Sequence, residues 1–423
     1  SKSSNGDIAF GFQNTDAKLS LLSEPEGAGT VNQNSAVAYI ASDYNTGWMH
    51  GNTKGTFLSD TDTTNLVGTN LVSNGTFDSN TTGWSSSGSI TVTQDSGRLK
   101  MVSGSGNPFV YQAVTCVVGK RYYVQLDVQG EVSFHAGPNA SSVGDVAYIP
   151  YSSHGSLTTK YCFFVATATT MYLVPHVIGT GNTGYIDNVI CTLADHDRTK
   201  NGAAEANVGG VNGRSSGLAV YGTVTRTPVA TGAELVAYSG FSTNDYLRQP
   251  FNSDMEFGTN DYYMSIWAKG GSNDQTLMVR EHGGSDDDGS ILIFQSGGKY
   301  NFYSRQGGTT SWTAFSANNA AFGNFWSHVM LVRTGGILYG YVNGKLEGST
   351  SFAGNVSNGD AVISIGKRVS NNTQNYSGSL ALAKIGQSAP SPEQIKKIYE
   401  DEKMLFQENA KATLYGSSNA VTG

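Results

Sequence analysis

Asn324-Phe325-Trp326-Ser327-His328-Val329-Met330-Leu331-Val332-Arg333-Thr334-Gly335-Gly336-Ile337-Leu338-Tyr339-Gly340-Tyr341-Val342-Asn343-Gly344-Lys345-Leu346-Glu347 is the stretch on which the fold turns. Two runs rich in β-branched and aromatic side chains are joined by Gly335-Gly336, and the second is closed by Asn343-Gly344. Both dipeptides suit the left-handed backbone of tight hairpin turns, so the segment predicts consecutive hairpins of an antiparallel sheet. Residues 361–366 and 378–385 continue as third and fourth strands, at the interval expected of a β-sandwich.

Working outward, the 423 residues suggest two to four domains. Gly is abundant, at 53 residues, and only 14% of the chain is charged. That composition suits many short strands with tight turns and a polar, mostly uncharged surface that meets sugars or protein. A net charge of −7 without a Lys/Arg cluster argues against nucleic-acid binding, which needs a basic face. No apolar run approaches the ~20 residues of a membrane span, so no membrane insertion is expected. Cys116, Cys162 and Cys191 each sit in an apolar β-like run. An odd count argues against a disulfide framework and for buried free thiols, hence for folding in a reducing cytoplasm.

Toward the N-terminus, residues 1–66 hold strand-like pieces too few to bury a core alone, expected to pair with another chain or with absent sequence. Residues 36–42 echo 7–12, and 412–418 echo both, in the manner of a partial propeller. Toward the C-terminus, Ser391-Pro392-Glu393-Gln394 combines an N-cap, a Pro at the first helical position and a capping box. Ile395, Ile398, Tyr399, Leu405 and Phe406 then recur at helical spacing to about Asn409, so a neighbouring chain or domain is expected to receive the far end.

Two resemblances follow from these residues. Trp326, His328, Tyr341-Val342-Asn343-Gly344, Ile365-Gly366, Tyr376-Ser377-Gly378 and Ser391-Pro392-Glu393-Gln394-Ile395 together resemble the laminin-G-like, concanavalin-A-like lectin and glucanase sandwiches, placed at 210–388. The resemblance implies that Trp267 and Trp326 are core aromatics. Asn70 to Asp78, Thr82-Gly83-Trp84, Gly97-Arg98-Leu99, Tyr111-Gln112-Ala113-Val114, Gly119 to Val124 and Gly184 to Val189 resemble the jelly-roll carbohydrate-binding modules. The expected organisation is an all-β chain of tandem sandwiches: a β segment at 1–66, a jelly roll at 67–194, a linker at 195–209, the laminin-G-like sandwich at 210–388, and a helix with the start of a further strand at 389–423.

The sequence holds no Glu-x-Asp-x-x-Glu strand of a retaining glucanase, no His-Glu-x-x-His and no Gly-x-Ser-x-Gly, so no enzyme activity is expected. The jelly-roll resemblance implies sugar stacking by Trp84, Tyr111, Tyr148 or Tyr151. In the sandwich, Trp312 follows a Gly-rich turn and lacks the apolar neighbours of Trp267, which favours it over Trp84 as a glycan contact, with Arg305 and the Asp286 to Asp288 loop beside it. No cofactor is required, although Asp286, Asp288 and Asp187 are candidates for a structural Ca2+. His135, His154 and His176 show no spacing that suggests a site. As a whole the chain resembles a phage tail fibre or related virion adhesin. That implies a homotrimer assembled in a bacterial cytoplasm, whose partners are other virion proteins and a host-surface glycan or receptor. The rival expectations are an accessory chain of a polysaccharide depolymerase or glycoside hydrolase, and a bacterial adhesin on the cell surface.

Overall fold

The computed structural model describes residues 11–14, 17–20, 37–40, 53–141, 146–197, 217–282, 288–309, 311–371 and 373–414. It is nearly all β, with one α-helix among the described residues, and no helix there is long and apolar enough to cross a membrane. Two compact units are present: Gly68–Asp195 with Glu205–Ala219, and Ser1–Val67 with His196–Ala204 and Val220–Gly423.

Five short strands come first: β1 (Gly11–Asn14), β2 (Ala17–Ser20), β3 (Val37–Ile40), β4 (Thr53–Phe57) and β5 (Leu66–Gly68). The jelly roll is then built from four long strands, β6 (Ser85–Asp95), β7 (Arg98–Thr115), β8 (Arg121–Gly137) and β9 (Ala147–Val165), and from β10 (Thr170–Val177) and β11 (Thr183–His196). β10 pairs with the late part of both β7 and β8, whereas β11 pairs with Leu99–Val102 of β7 and Arg121–Gly130 of β8. The long strands therefore pass from one sheet to the other. The register shifts where they bend, at Gly130 between β8 and β9 and at Ser89 between β6 and β7. Gly130 has φ +78°, and a Cβ there would lie 2.2 Å from the Thr183 carbonyl oxygen, so the bend admits only glycine. Alternation along β8 sends Val132, Phe134 and Ala136 into the core and leaves Glu131, Ser133 and His135 on the opposite face. The three Cys are buried free thiols in or beside that core.

The second unit is a sandwich of two antiparallel sheets from β12 (Gly217–Pro228), β13 (Val236–Ser239), β14 (Tyr246–Gln249), β15 (Tyr262–Lys269), β16 (Gln275–His282), β17 (Ile291–Ser296), β18 (Lys299–Arg305), β19 (Trp312–Ala321), β20 (Ser327–Thr334), β21 (Ile337–Val342), β22 (Lys345–Ser351), β23 (Ala361–Ile365) and β24 (Ser379–Gly386). One sheet runs β12–β13–β24–β15–β20–β21–β22, and the other runs β14–β23–β16–β17–β18–β19. The two expected hairpins are there: Gly335 and Gly336 take φ +57° and +76°, and Asn343 and Gly344 take +51° and +75°. β4 extends this sandwich by pairing with β24, so Thr53–Phe57 is no part of a separate N-terminal segment.

Tyr262 of β15 faces the other sheet, its hydroxyl 2.7 Å from Ser304 Oγ. Tyr263, Ser265 and Trp267 alternate to the outer side. Trp267 is thus buried, but under the C-terminal helix rather than between the sheets. α1 (Pro392–Glu402) begins with the capping box expected of Ser391 and Gln394, and a 3₁₀ turn over Lys403–Phe406 follows it. Ile395, Ile398 and Leu405 are buried, and Phe406 stacks on Trp267 at 4.2 Å. Glu402 accepts from Trp267 Nε1 at 2.6 Å and pairs with Lys384 of β24, both charges being buried. The helix expected to reach Asn409 and dock on a neighbour therefore stops at Glu402 and packs on its own sandwich. Finally β25 (Lys411–Leu414) pairs in parallel with β3, and β1 pairs with β2, so these strands find partners within the chain. The parts of the repeat at 7–10, 36, 41–42 and 415–418 lie outside the described residues.

Candidate functional site

The jelly roll carries a row of rings on the outer face of its β9–β8–β10–β7–β6 sheet. Because β10 lies between β7 and β8, His176 stands opposite Phe109 on one side and Ser133 on the other. The same order sets His135 opposite Tyr148 of β9. Ring centroids are 4.6 Å apart for Tyr148 and His135, 4.5 Å for His135 and His176, and 4.8 Å for His176 and Phe109. Tyr111 and Tyr172 extend the row from Phe109, at 6.1 and 6.0 Å steps. Phe109, Tyr111, His135, Tyr148 and Tyr172 are all half-buried, so each keeps part of its surface toward solvent. The flanking positions are polar: Ser85 and Ser87 of β6 stand opposite Tyr111 and Phe109, and Tyr151 donates its hydroxyl to the Glu131 carboxylate.

His176 is the buried member, 6% exposed, and its Nε2 is a buried atom without a hydrogen-bond partner. Burial pushes its pKa down to about 4, the nearby His135 ring lowers it further, and the Asn107 carbonyl acts in the opposite sense. The imidazole is accordingly neutral at pH 7. The expectation that the three histidines form no constellation is corrected for two of them. His135 and His176 are 41 positions apart in sequence and meet only because β10 crosses to lie beside β8. His154 lies farther along β9, opposite Gly130, with Nε2 2.5 Å from Ser152 Oγ.

A second cluster occupies the outer face of the other sheet in the sandwich. Trp312 opens β19 directly opposite Arg305 of β18, and its ring meets Tyr303 edge-on at 5.9 Å. The guanidinium carbons of Arg305 and Arg368 lie 5.9 and 5.1 Å from the indole centroid. Fully buried Glu281 holds the Arg368 loop in place. It accepts from Arg368 Nε at 3.3 Å, Val369 N at 2.5 Å, Ser370 N at 3.2 Å and Ser370 Oγ at 3.0 Å. Burial raises the Glu281 pKa, and Arg368 with the Ser370 and Val369 donors opposes that rise. Arg305 is mostly covered, donating Nε to the Thr309 carbonyl at 2.5 Å.

The remaining expected residues separate. Tyr111 and Tyr151 fall on the ring-row face, whereas Trp84 turns inward to Phe77 at 5.6 Å and packs on the jelly-roll core. Its Nε1 donates to the Asn74 carbonyl at 3.3 Å, so it is a packing residue rather than a member of the row. Asp187 stands opposite Asp127 and accepts from Asn188 N at 2.7 Å. Burial raises its pKa, and Asp127 and Asp78 add to that. Asp288 accepts from Gly308 N at 2.5 Å, and Asp286 lies outside the described residues. Among the described residues no group of three His, Cys, Asp or Glu side chains converges as a metal site.

Comparison with known proteins bears on the sandwich. Residues 241–396 match the family described as the concanavalin A-like lectin/glucanases superfamily. No curated protein matches the chain. Among solved structures, domain 4 of AbnA, a GH43 extracellular arabinanase from Geobacillus stearothermophilus in complex with arabinotriose, is 18% identical. That match covers 42% of this chain and 82% of that one, with a TM-score of 0.35. The binding domain of Paraclostridial Mosquitocidal Protein 1 is 15% identical over 44% of this chain and 48% of its own, at a TM-score of 0.35. Ruminococcus gnavus IT-sialidase CBM40 bound to α2,3 sialyllactose is 14% identical over 34% and 83%, at 0.30. What the chain shares with known proteins is the concanavalin A-like lectin/glucanase sandwich of residues 241–396.

Proposed function

We propose that the chain is a non-catalytic glycan-binding protein of a phage tail fibre or related virion appendage, holding a host-surface glycan on the jelly-roll ring row. The observation that carries the glycan reading is the row itself: six adjoining rings, five of them half-exposed, on a sheet face that is not core. A ring face gains by covering the apolar CH face of a pyranose, and flanking hydroxyls and imidazoles select hydroxyl orientation. Trp312, with its Arg neighbours, is a further contact in the sandwich. The virion part of the proposal rests on the sequence resemblance. Among the described residues the ring row carries one carboxylate, Glu131, whereas glycoside hydrolysis ordinarily places two about the scissile bond, which supports binding over cleavage on this face.

The test is binding of the full chain to host cells and to a glycan array, with melting temperature followed in parallel. Phe109→Ala and Tyr148→Ala are expected to weaken binding about tenfold each, the equivalent of ~1.4 kcal/mol, with little loss of stability. New reducing ends released from host polysaccharide would favour the depolymerase reading. Binding that survives both substitutions would remove the ring row from the function.

A further inference from the structure

The ring-row face is aromatic and imidazole-rich but nearly empty of formal charge. Its strands present Phe109 and Tyr111 from β7, Tyr172 and His176 from β10, Ser133 and His135 from β8, and Tyr148 and Tyr151 from β9. Glu131 is the one ionised side chain that joins them, and neither Lys nor Arg is present on this face among the described residues. Binding a carboxylated or sulfated sugar on such a surface would bring a second anion toward Glu131 with no guanidinium or ammonium to receive it, and burying an unpaired charge is costly.

Resting on the glycan-binding reading above, we infer that the ring row takes an uncharged glycan and that Glu131 makes it reject acidic ones. Glu131 is held by the Tyr151 hydroxyl. As an ionised carboxylate it has only acceptor sites, so it can accept from a sugar hydroxyl but offers no donor to a ligand carboxylate. The buried His176 ring, kept neutral by its burial, likewise offers no positive charge. The row crosses four strands, which at ~4.8 Å per strand step spans roughly three pyranose units. The ligand is therefore a neutral hexose or N-acetylhexosamine segment rather than a single sugar.

The experiment uses the full chain against immobilised neutral hexose and N-acetylhexosamine oligosaccharides and against matched oligosaccharides bearing uronate or sialate. Neutral glycans are expected to bind at least tenfold more tightly at low salt, with the gap narrowing as added salt screens Glu131. Glu131→Gln, which keeps the shape and loses the charge, is expected to raise acidic binding relative to neutral binding at least fivefold, and an unchanged acidic-to-neutral ratio would overturn the role given to Glu131. Phe109→Ala, with an unchanged melting temperature, reports whether a signal belongs to this face. Acidic oligosaccharides bound as tightly as neutral ones, and lost in Phe109→Ala, would overturn the inference and leave glycan binding standing. No binding of either series would overturn both.

Discussion

The two clusters of exposed rings solve the same problem in opposite ways. On the jelly roll, flat side chains from four strands lean on one another, with the Tyr151 hydroxyl on Glu131 beside them. On the sandwich, a single indole is set by two guanidiniums, one of them fastened by a buried carboxylate with four donors. The first surface owes its shape to sheet order, the second to a buried ion pair. They should fail differently when single side chains are removed.

The largest expected effect is on the fastened side. Glu281→Ala removes the carboxylate that receives Arg368 Nε, Ser370 Oγ and two backbone N–H groups in a buried setting, which should cost about 3–5 kcal/mol of stability in the sandwich. Chemical denaturation measures it, and glycan binding by the ring row is expected to survive in the folded fraction. A loss under ~1 kcal/mol would mean that the carboxylate is not what fixes the Trp312 corner. Next comes Trp84→Ala, which empties space beside Phe77 and should cost about 2–4 kcal/mol in the jelly roll without selectively reducing binding. Selective loss of binding at unchanged melting temperature would return Trp84 to the glycan contacts.

The last effect is spread over pH. His176 is held at about 4 when folded and titrates near 6.5 when unfolded. Between those values the unfolded chain binds the extra proton, so stability falls as pH drops from about 6.5 toward 4, by up to ~1.4 kcal/mol per pH unit. His328, pushed down to about 3 by burial and further by Lys384, acts with the same sign in the sandwich and carries its loss to lower pH. Melting temperatures from pH 7 to pH 4 should fall less steeply for His176→Gln and for His328→Gln. An unchanged slope in either variant would show that the buried imidazole is not the group being titrated.

Local pattern made part of this legible. Gly335-Gly336 and Asn343-Gly344 announced their hairpins, and Ser391 to Gln394 announced a helix start, because turn and cap chemistry is confined to a few consecutive residues. Tyr111 and Tyr151 were singled out as candidates and do reach the ring-row face. What the sequence could not convey was the order of strands. Phe109, His135, Tyr148 and His176 become neighbours only through the placement of β10 between β7 and β8, and no spacing along the chain encodes that. The same blindness affected Trp267, whose alternation in β15 is plain but whose face could be assigned only once the helix was seen to cover it.

That cover has a consequence for the order of events during synthesis. Lys384 sits in β24, which lies between β13 and β15 in the middle of its sheet, and its counter-charge is Glu402 on the helix that follows. Until residue 402 has left the ribosome, the Lys384 ammonium lacks the Glu402 carboxylate and the sheet lacks the helix that covers Trp267. A product that stops short of Glu402 would therefore leave the outer face of β15 and β24 without its cover, and is expected to be less stable and more readily cleaved by proteases than the full chain.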